Sequence, residues 1–451
     1  MSAYSEYITT PLPWLSKIPS HWGLIRNKNI FQEVKDVVGD NADAYPLLSL
    51  TKQGIILRDV TSGKGKFPKD FNTYKIVKQG DMAFCLFDID ETPRTVGLSG
   101  YDGMLTGAYT IFHVRNVNPH FVCYYYLALD NVKAMRPLYS GLRKTINVGT
   151  FLGIKVPVPP RAEQDQIVRF LDWKVSSINK LISLKRKQMA LLRERHNVHI
   201  SHIVIHGLDN GVVTKSSGVE WIGDIPEHWQ TVRCKYLFSE RDERSQEGVE
   251  QHLSMSQKYG LVPDSQLDER RMLSESYKGG KLCYKDDLVL NRLKAHLGVF
   301  ALSPQFGVIS PDYTVLIPNA EKILPSFAET VLKSDRCRGE LRIRVRGIIE
   351  GFWRLYTDDF NTIVLPTPPI KEQAEIMKYI IEFRDKTKKY EDNLTQEISI
   401  LQEFKARLIS DVVTGKIDIR SVEIPDYEYI EEDTEEIAED NTGDTEGEFD
   451  E

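Results

Sequence analysis

With 451 residues, 41% of them hydrophobic and 27% charged, the chain has the composition of an ordinary globular protein and the length of two or three domains. It has no run of about 18 uncharged apolar residues, which excludes a membrane span, and its start, MSAYSEYITTPLPW, lacks the pattern of a signal peptide. Five scattered cysteines without a Cys-x-x-Cys pair point to a reduced, cytoplasmic protein with no zinc knuckle. The net charge of −7 hides a basic body. Residues 426–451 hold 14 Asp or Glu and no Lys or Arg, so residues 1–425 carry 58 basic against 51 acidic side chains. A mildly basic body suits a polyanionic partner, and the acidic tail should be disordered.

In chain order, the first landmark is PWLSKIPSHW at 13–22, which returns as EWIGDIPEHW at 220–229, an offset of 207 positions. Its Trp, Ile and Trp should be buried and its Ile-Pro extended, as a scaffold clamp rather than a site. Short β-type runs follow, among them MAFCLF and YTIFHV, broken by Gly, Pro and Asp turns. The Pro159-Pro160 pair stops the strands, and Glu163-Gln164 opens a long helix, where acids suit the helix dipole. The second half repeats this grammar. LSMSQKYG resembles LLSLTKQG, GVISPDYTVL resembles GMLTGAYTIF, and LPTPPIKEQAEIMKYI resembles VPVPPRAEQDQIVRFL. The chain is therefore written twice.

Both long helices carry heptad stripes. The first places Val168, Leu171, Val175, Ile178, Ile182, Met189 and Leu192 on a seam. The second places Ile380, Phe383, Tyr390, Leu394, Leu401, Phe404 and Leu408 there. About 40 residues each, they should run near 60 Å at about 1.5 Å per residue. An exposed stripe of that length needs a cover, and an intramolecular antiparallel pair is expected over two helices packed on their own domains. The fold class is α+β: two mixed α/β domains, each followed by a long helix, with the helices paired and an approximate two-fold axis. The expected boundaries are 1–160 and 209–369 for the domains, 161–208 and 370–420 for the helices, and 421–451 for the tail.

The E-W-I-G-x-I-P-x-H-W head, the P-x-P-P-x-x-E-Q helix start and the RLISDVVTGKID ending (407–418) resemble the specificity subunits of type I restriction–modification systems. The resemblance covers residues 1 to about 420, in order and twice over. It implies two target-recognition domains that each read half of a split DNA sequence, with a coiled coil as ruler. It also implies two methyltransferase subunits docked on the helices, restriction subunits in the full complex, and S-adenosylmethionine on the partner rather than on this chain. The first half departs from the pattern in its P-W-L-S-K opening and its His-rich helix end. The tail after Pro425 lies outside the resemblance.

The residues themselves show no catalytic set. No Asp-Pro-Pro-Tyr or Asn-Pro-Pro-Tyr motif and no Gly-rich phosphate or methyl-donor loop is present, and neither Gly-Lys pair forms a Walker A loop. His196, His199, His202 and His206 have ligand-like spacing on one helical face, but no Cys or carboxylate joins them. A polar helix end packed on a partner is the expected reading, with no metal. DNA contact requires Lys and Arg on phosphates and side chains at base edges. The first unit offers Lys64, Lys66 and Lys69 in a Gly-opened loop, Arg94, and Arg143 with Lys144. The second offers Arg270, Arg271, Lys278, Lys281, Arg292 and Lys294, together with Arg342, Arg344 and Arg346, whose alternation would aim all three from one strand face. A spacer that binds proteins instead of DNA is the competing reading, and a self-sufficient methyltransferase or nuclease is a third.

Overall fold

Four strands form the centre of the first half: β1 (Phe31–Val34), β2 (Asp81–Phe84), β3 (Val96–Leu98) and β4 (Thr110–Val114), antiparallel in the order β1-β4-β2-β3. The second half repeats them as β5 (Phe238–Arg241), β6 (Leu288–Asn291), β7 (Phe300–Leu302) and β8 (Tyr313–Pro318), in the order β5-β8-β6-β7. Smaller ladders are duplicated too. Gly23–Arg26 pairs with Lys155–Val158, as Gln230–Arg233 pairs with Val364–Thr367. The hairpin Leu48–Thr51/Gly54–Leu57 matches Leu253–Ser256/Gly260–Pro263. Strands this short depend on the core behind them. In the first half that core is aromatic: Phe31, Phe84, Phe112, Tyr126 and Phe151 pack with neighbouring centroids 4.8 to 5.9 Å apart. This computed structural model describes residues 2–58, 71–140, 144–256, 259–266, 277–347 and 353–431.

The chain divides into two compact units, Met1–Lys187 with Leu394–Glu451, and Gln188–Asn393. The long helices, Arg161–His206 and Ile370–Val413, contribute to both. Within the first unit, residues 161–187 run antiparallel to residues 394–413: Lys405 Nζ donates to Asn179 Oδ1 at 3.3 Å and Lys185 Nζ meets Glu397 Oε2 at 2.5 Å. Within the second, Arg193 Nε bonds Glu391 Oε1 at 2.9 Å and His196 Nδ1 lies 3.0 Å from Thr387 Oγ1. Most of the expected seam is buried, including Leu171, Ile178, Ile182, Met189, Ile380, Leu394 and Leu408. Tyr390 and Phe404 are a correction, since both are more than half exposed. The seam passes instead through Thr387, Glu391 and Lys405, polar residues that hydrophobic periodicity overlooks.

The repeated motifs turn out to be partners of one another. Trp22 Nε1 donates to Glu163 Oε1 at 3.1 Å, and His21 Nε2 lies 2.7 Å from Glu163 Oε2. In the second unit Trp229 Nε1 donates to Glu372 Oε1 at 3.0 Å, and His228 Nε2 lies 2.8 Å from Glu372 Oε2. The Gln of each Glu-Gln pair completes the joint. Gln164 Nε2 donates to the Pro159 carbonyl, and Gln373 Nε2 to that of Pro368, both at 2.8 Å. Their Oε1 atoms accept from the backbone N–H of Asn118 and Leu324, also at 2.8 Å. Each Pro-Pro-x-x-Glu-Gln helix start is thus bolted to its own head decapeptide. Ile18, Trp22, Ile225 and Trp229 are buried as expected, while Trp14 and Trp221 are only half-buried. The far end of the other long helix closes the joint. Gly415 (φ 72°) lies against Pro19 and Trp22, and Gly207 (φ 80°) against Trp229 and Glu372, where a Cβ would be both strained and crowded.

The end of the chain departs from expectation. Residues 421–431 belong to the stretch expected to be disordered, yet they lie along the first long helix. Gln166 Nε2 donates to the Val422 carbonyl at 2.8 Å. Ser176 Oγ accepts from the Ile430 N–H and Asn179 Nδ2 donates to the Ile430 carbonyl, both at 3.0 Å. Buried Ser176 and Asn179, with half-buried Gln166, provide the partners that hold this segment's backbone groups in place. Residues 432–451 lie outside the described residues.

Candidate nucleic-acid interface

Six candidate cations, Lys64, Lys66, Lys69, Arg143, Arg270 and Arg271, lie outside the described residues. The other nine can be located, and acids hold most of them. In the first unit, buried Asp130 gathers Arg94 Nη1 (3.3 Å), Lys133 Nζ (2.7 Å), and the Thr95 N–H and hydroxyl (3.1 and 2.5 Å). Arg94 is therefore a correction: it braces the loop after β2 against the end of the helix Pro119–Asn131 and faces inward. Lys144, from the segment before the helix Val148–Gly153, meets the same loop, 2.6 Å from Glu91 and 3.4 Å from Asp90. The hydrogen bond from Tyr139 holds the Asp90 carboxyl below the usual range, with Lys144 adding to the effect. Glu91 and Asp90 in turn hold Lys144 protonated. Asp88, Lys133 and Lys144 all have positive φ (43°, 50° and 48°), so strained backbone concentrates here.

In the second unit, Lys281 is a correction of the same kind. It is buried, with Glu240 at 3.1 Å and Asp242 at 3.7 Å, and cannot face a ligand. Arg292 is tied to Asp312, and Lys278 is exposed in the turn before Lys281–Cys283. The expected strand of Arg342, Arg344 and Arg346 does not exist. Arg342 ends the helix Asp335–Arg342, Arg344 turns back onto Glu340 at 2.7 Å, and Arg346 pairs with Asp359. A short helix with Asp335 in its first turn and Ser334 as N-cap overrides the alternation, because the cap and dipole favour helix locally.

His296 and Trp353, beside the arginine run named from the sequence, carried no sequence signal. The loop after β6 makes a single turn, Ala295–Leu297, against the helix Asp335–Arg342. His296 is 9% exposed, and its Nδ1 finds no hydrogen-bond partner among the described residues. Burial pushes its pKa down, and nearby Arg342 adds to that. Trp353, 40% exposed, meets the His296 ring edge-on at 5.8 Å. The Arg338 stem crosses Gly298, and its Nε is also buried without a partner among the described residues. Arg342 is exposed beside them. The first unit has Asp88, Asp90, Glu91 and Arg94 in the loop after β2, where the second has Arg292 and Lys294 after β6. Equivalent loops thus carry opposite charge.

The His196–His206 run is a packing seam. His196 stacks on Phe383 with centroids 5.0 Å apart and planes at 6°, and His199 Nε2 lies 3.1 Å from Tyr379 Oη. Among the described residues there is no His, Cys, Asp or Glu group able to hold a metal ion, and no helix is long and apolar enough to cross a membrane.

Comparison with known proteins agrees with this architecture. Residues 102–189 match the type I restriction modification DNA specificity domain. The type I restriction enzyme MjaVIII specificity subunit of Methanocaldococcus jannaschii is 23% identical over 439 residues, covering 90% of this chain and 95% of that one. A relative from the same organism, assigned to its MjaX enzyme as specificity subunit, is 22% identical, covering 90% and 96%. A solved structure described as the basis of complex assembly and conformational transition of the type I R-M system shares the fold, with a TM-score of 0.59 at 12% identity. It covers 89% of this chain and 99% of that one. Residues 102–189 are thus similar to the type I restriction modification DNA specificity domain, and about nine-tenths of the chain is similar to specificity subunits of type I restriction enzymes.

Proposed function

We propose that this chain reads a bipartite DNA target, one half with each unit, and supplies no chemistry of its own. The observation that carries this is a duplicated frame with unlike loops. The His-Trp/Glu-Gln joint recurs bond for bond and the β1-β4-β2-β3 sheet in strand order, while the loops after β2 and β6 differ in charge. A frame kept constant around two different surfaces suits the reading of two different short sequences. The paired long helices act as the spacer that fixes the unread gap.

Partner subunits would dock on those helices. Leu184, Leu191, Val198, Ile381, Ile400 and Phe404 are each more than half exposed there, and solvent-facing apolar side chains in such number support a protein cover. The partner methyltransferase would hold S-adenosylmethionine and receive a target base flipped from the duplex, at an unstacking cost of about a few kcal/mol. Binding of the full chain and its methyltransferase to duplex DNA, measured from about 50 to 200 mM salt, tests the reading. Affinity should fall steeply with salt, because phosphate contacts release counterions. Affinity independent of salt would favour a protein adaptor, and methyl transfer by the chain alone would overturn the non-catalytic assignment.

A further inference from the structure

We propose that Arg342, with His296, Trp353 and the Arg338 stem beside it, forms a DNA grip of the second unit, binding an acceptor-rich edge of the duplex, either phosphate oxygens or the O6/N7 edge of a guanine. This rests on the DNA reading above and names the residues that perform it. Arg338 and Arg342 are one helical turn apart on Asp335–Arg342, so their guanidiniums rise from the same face. Arg338, Arg344 and Arg346 have acids against them, Arg338 through Asp335, whereas Arg342 stands exposed beside an imidazole. His296 Nδ1 and Arg338 Nε are buried polar atoms without partners among the described residues, at a place where a ligand can supply them. Trp353 closes one side with an exposed ring, a surface on which a sugar or an unstacked base can lie. A guanidinium with free N–H groups matches either acceptor class bidentately.

The equivalent loop of the first unit cannot do this. Asp88, Asp90 and Glu91 would repel phosphate, and Lys144 is already matched by two of them.

The test uses the full chain with its methyltransferase and a duplex carrying the methylated sequence mapped in cells. Arg342→Gln should weaken binding at least tenfold at about 0.1 M salt, with an unchanged melting temperature, while Lys144→Gln changes it less than twofold. The two sources of acceptor separate cleanly. A phosphate contact predicts uniform loss across sequences and a log–log salt slope smaller by about 0.9, with Arg342→Lys restoring most of the affinity. A guanine contact predicts relaxed preference at one position of one half-site, and Arg342→Lys fails to restore it, because lysine lacks the fork. If Arg342→Gln and Arg342→Lys both bind within twofold of the natural chain and methylate the same sequence, the inference is overturned while DNA reading stands. If the natural chain binds no DNA, the parent reading falls as well.

Discussion

Glu163 and Glu372 show how one side chain can tie a helix to a domain. Each accepts from a buried indole N–H and meets a histidine, and Glu163 also accepts from the Tyr4 hydroxyl at 2.6 Å. Removing the carboxylate leaves those donors buried and unpaired, which costs about 1–3 kcal/mol. Glu163→Ala and Glu372→Ala should each lower unfolding free energy by about 2 kcal/mol in urea titration. A change below about 0.5 kcal/mol would mean that the joint is incidental. The histidines of the second unit make a pH-dependent contribution. Burial lowers the pKa of His196, with Arg384 and His199 adding to the effect and Glu391 opposing it; burial, His202 and Arg195 lower that of His199. The folded state resists protons that the unfolded chain accepts below about pH 6.5. This stability is complete above that pH and declines beneath it. The melting temperature should fall between pH 7.5 and 5.5, and the variant His196→Gln/His199→Gln should flatten the decline. An unaltered pH profile would contradict it.

The helical seam separates what periodicity reveals from what it hides. Leu394 is 4% exposed and Tyr390 53%, though both fit an apolar heptad. Leu394→Ala should cost about 2–4 kcal/mol by denaturant titration, and Tyr390→Ser less than about 0.5. Equal costs would restore the seam drawn from hydrophobicity alone. Long elements with strong patterns, such as the paired helices, the Pro-Pro stops and the YTIFHV strand, were legible because local sequence and tertiary environment ask for the same thing. Thr387, Glu391 and Lys405 were not, since their seam positions are satisfied by cross-helix partners more than 190 residues away. The same blindness applied to the interface. Alternating arginines read as a strand until the Ser334 cap made them a helix end, and counting cations could not show that Asp130 and Glu240 had already matched Arg94 and Lys281. His296 and Trp353 carried no signal, because neither belongs to a charge run and they meet only through tertiary contact.

At the scale of the molecule, duplication supplies the logic. Two units keep one frame and vary their loops, and under the proposed function each would change its reading without disturbing the other. The acidic end is the exception, since only the first unit carries such an extension, anchored by Ser176 and Asn179 as far as Ile430. Beyond that anchor lies a run rich in Asp and Glu, chemically able to compete with DNA for basic surface. Deleting 426–451 should strengthen non-specific DNA binding at low salt, measured by fluorescence anisotropy, and unchanged binding would remove that role. Separable reading is tested most directly by exchanging residues 23–155 for those of another specificity subunit and mapping methylated bases in cells that supply the methyltransferase. One half of the methylated sequence should change while the other half and the gap between them stay the same. A map in which both halves change, or neither does, would contradict the account.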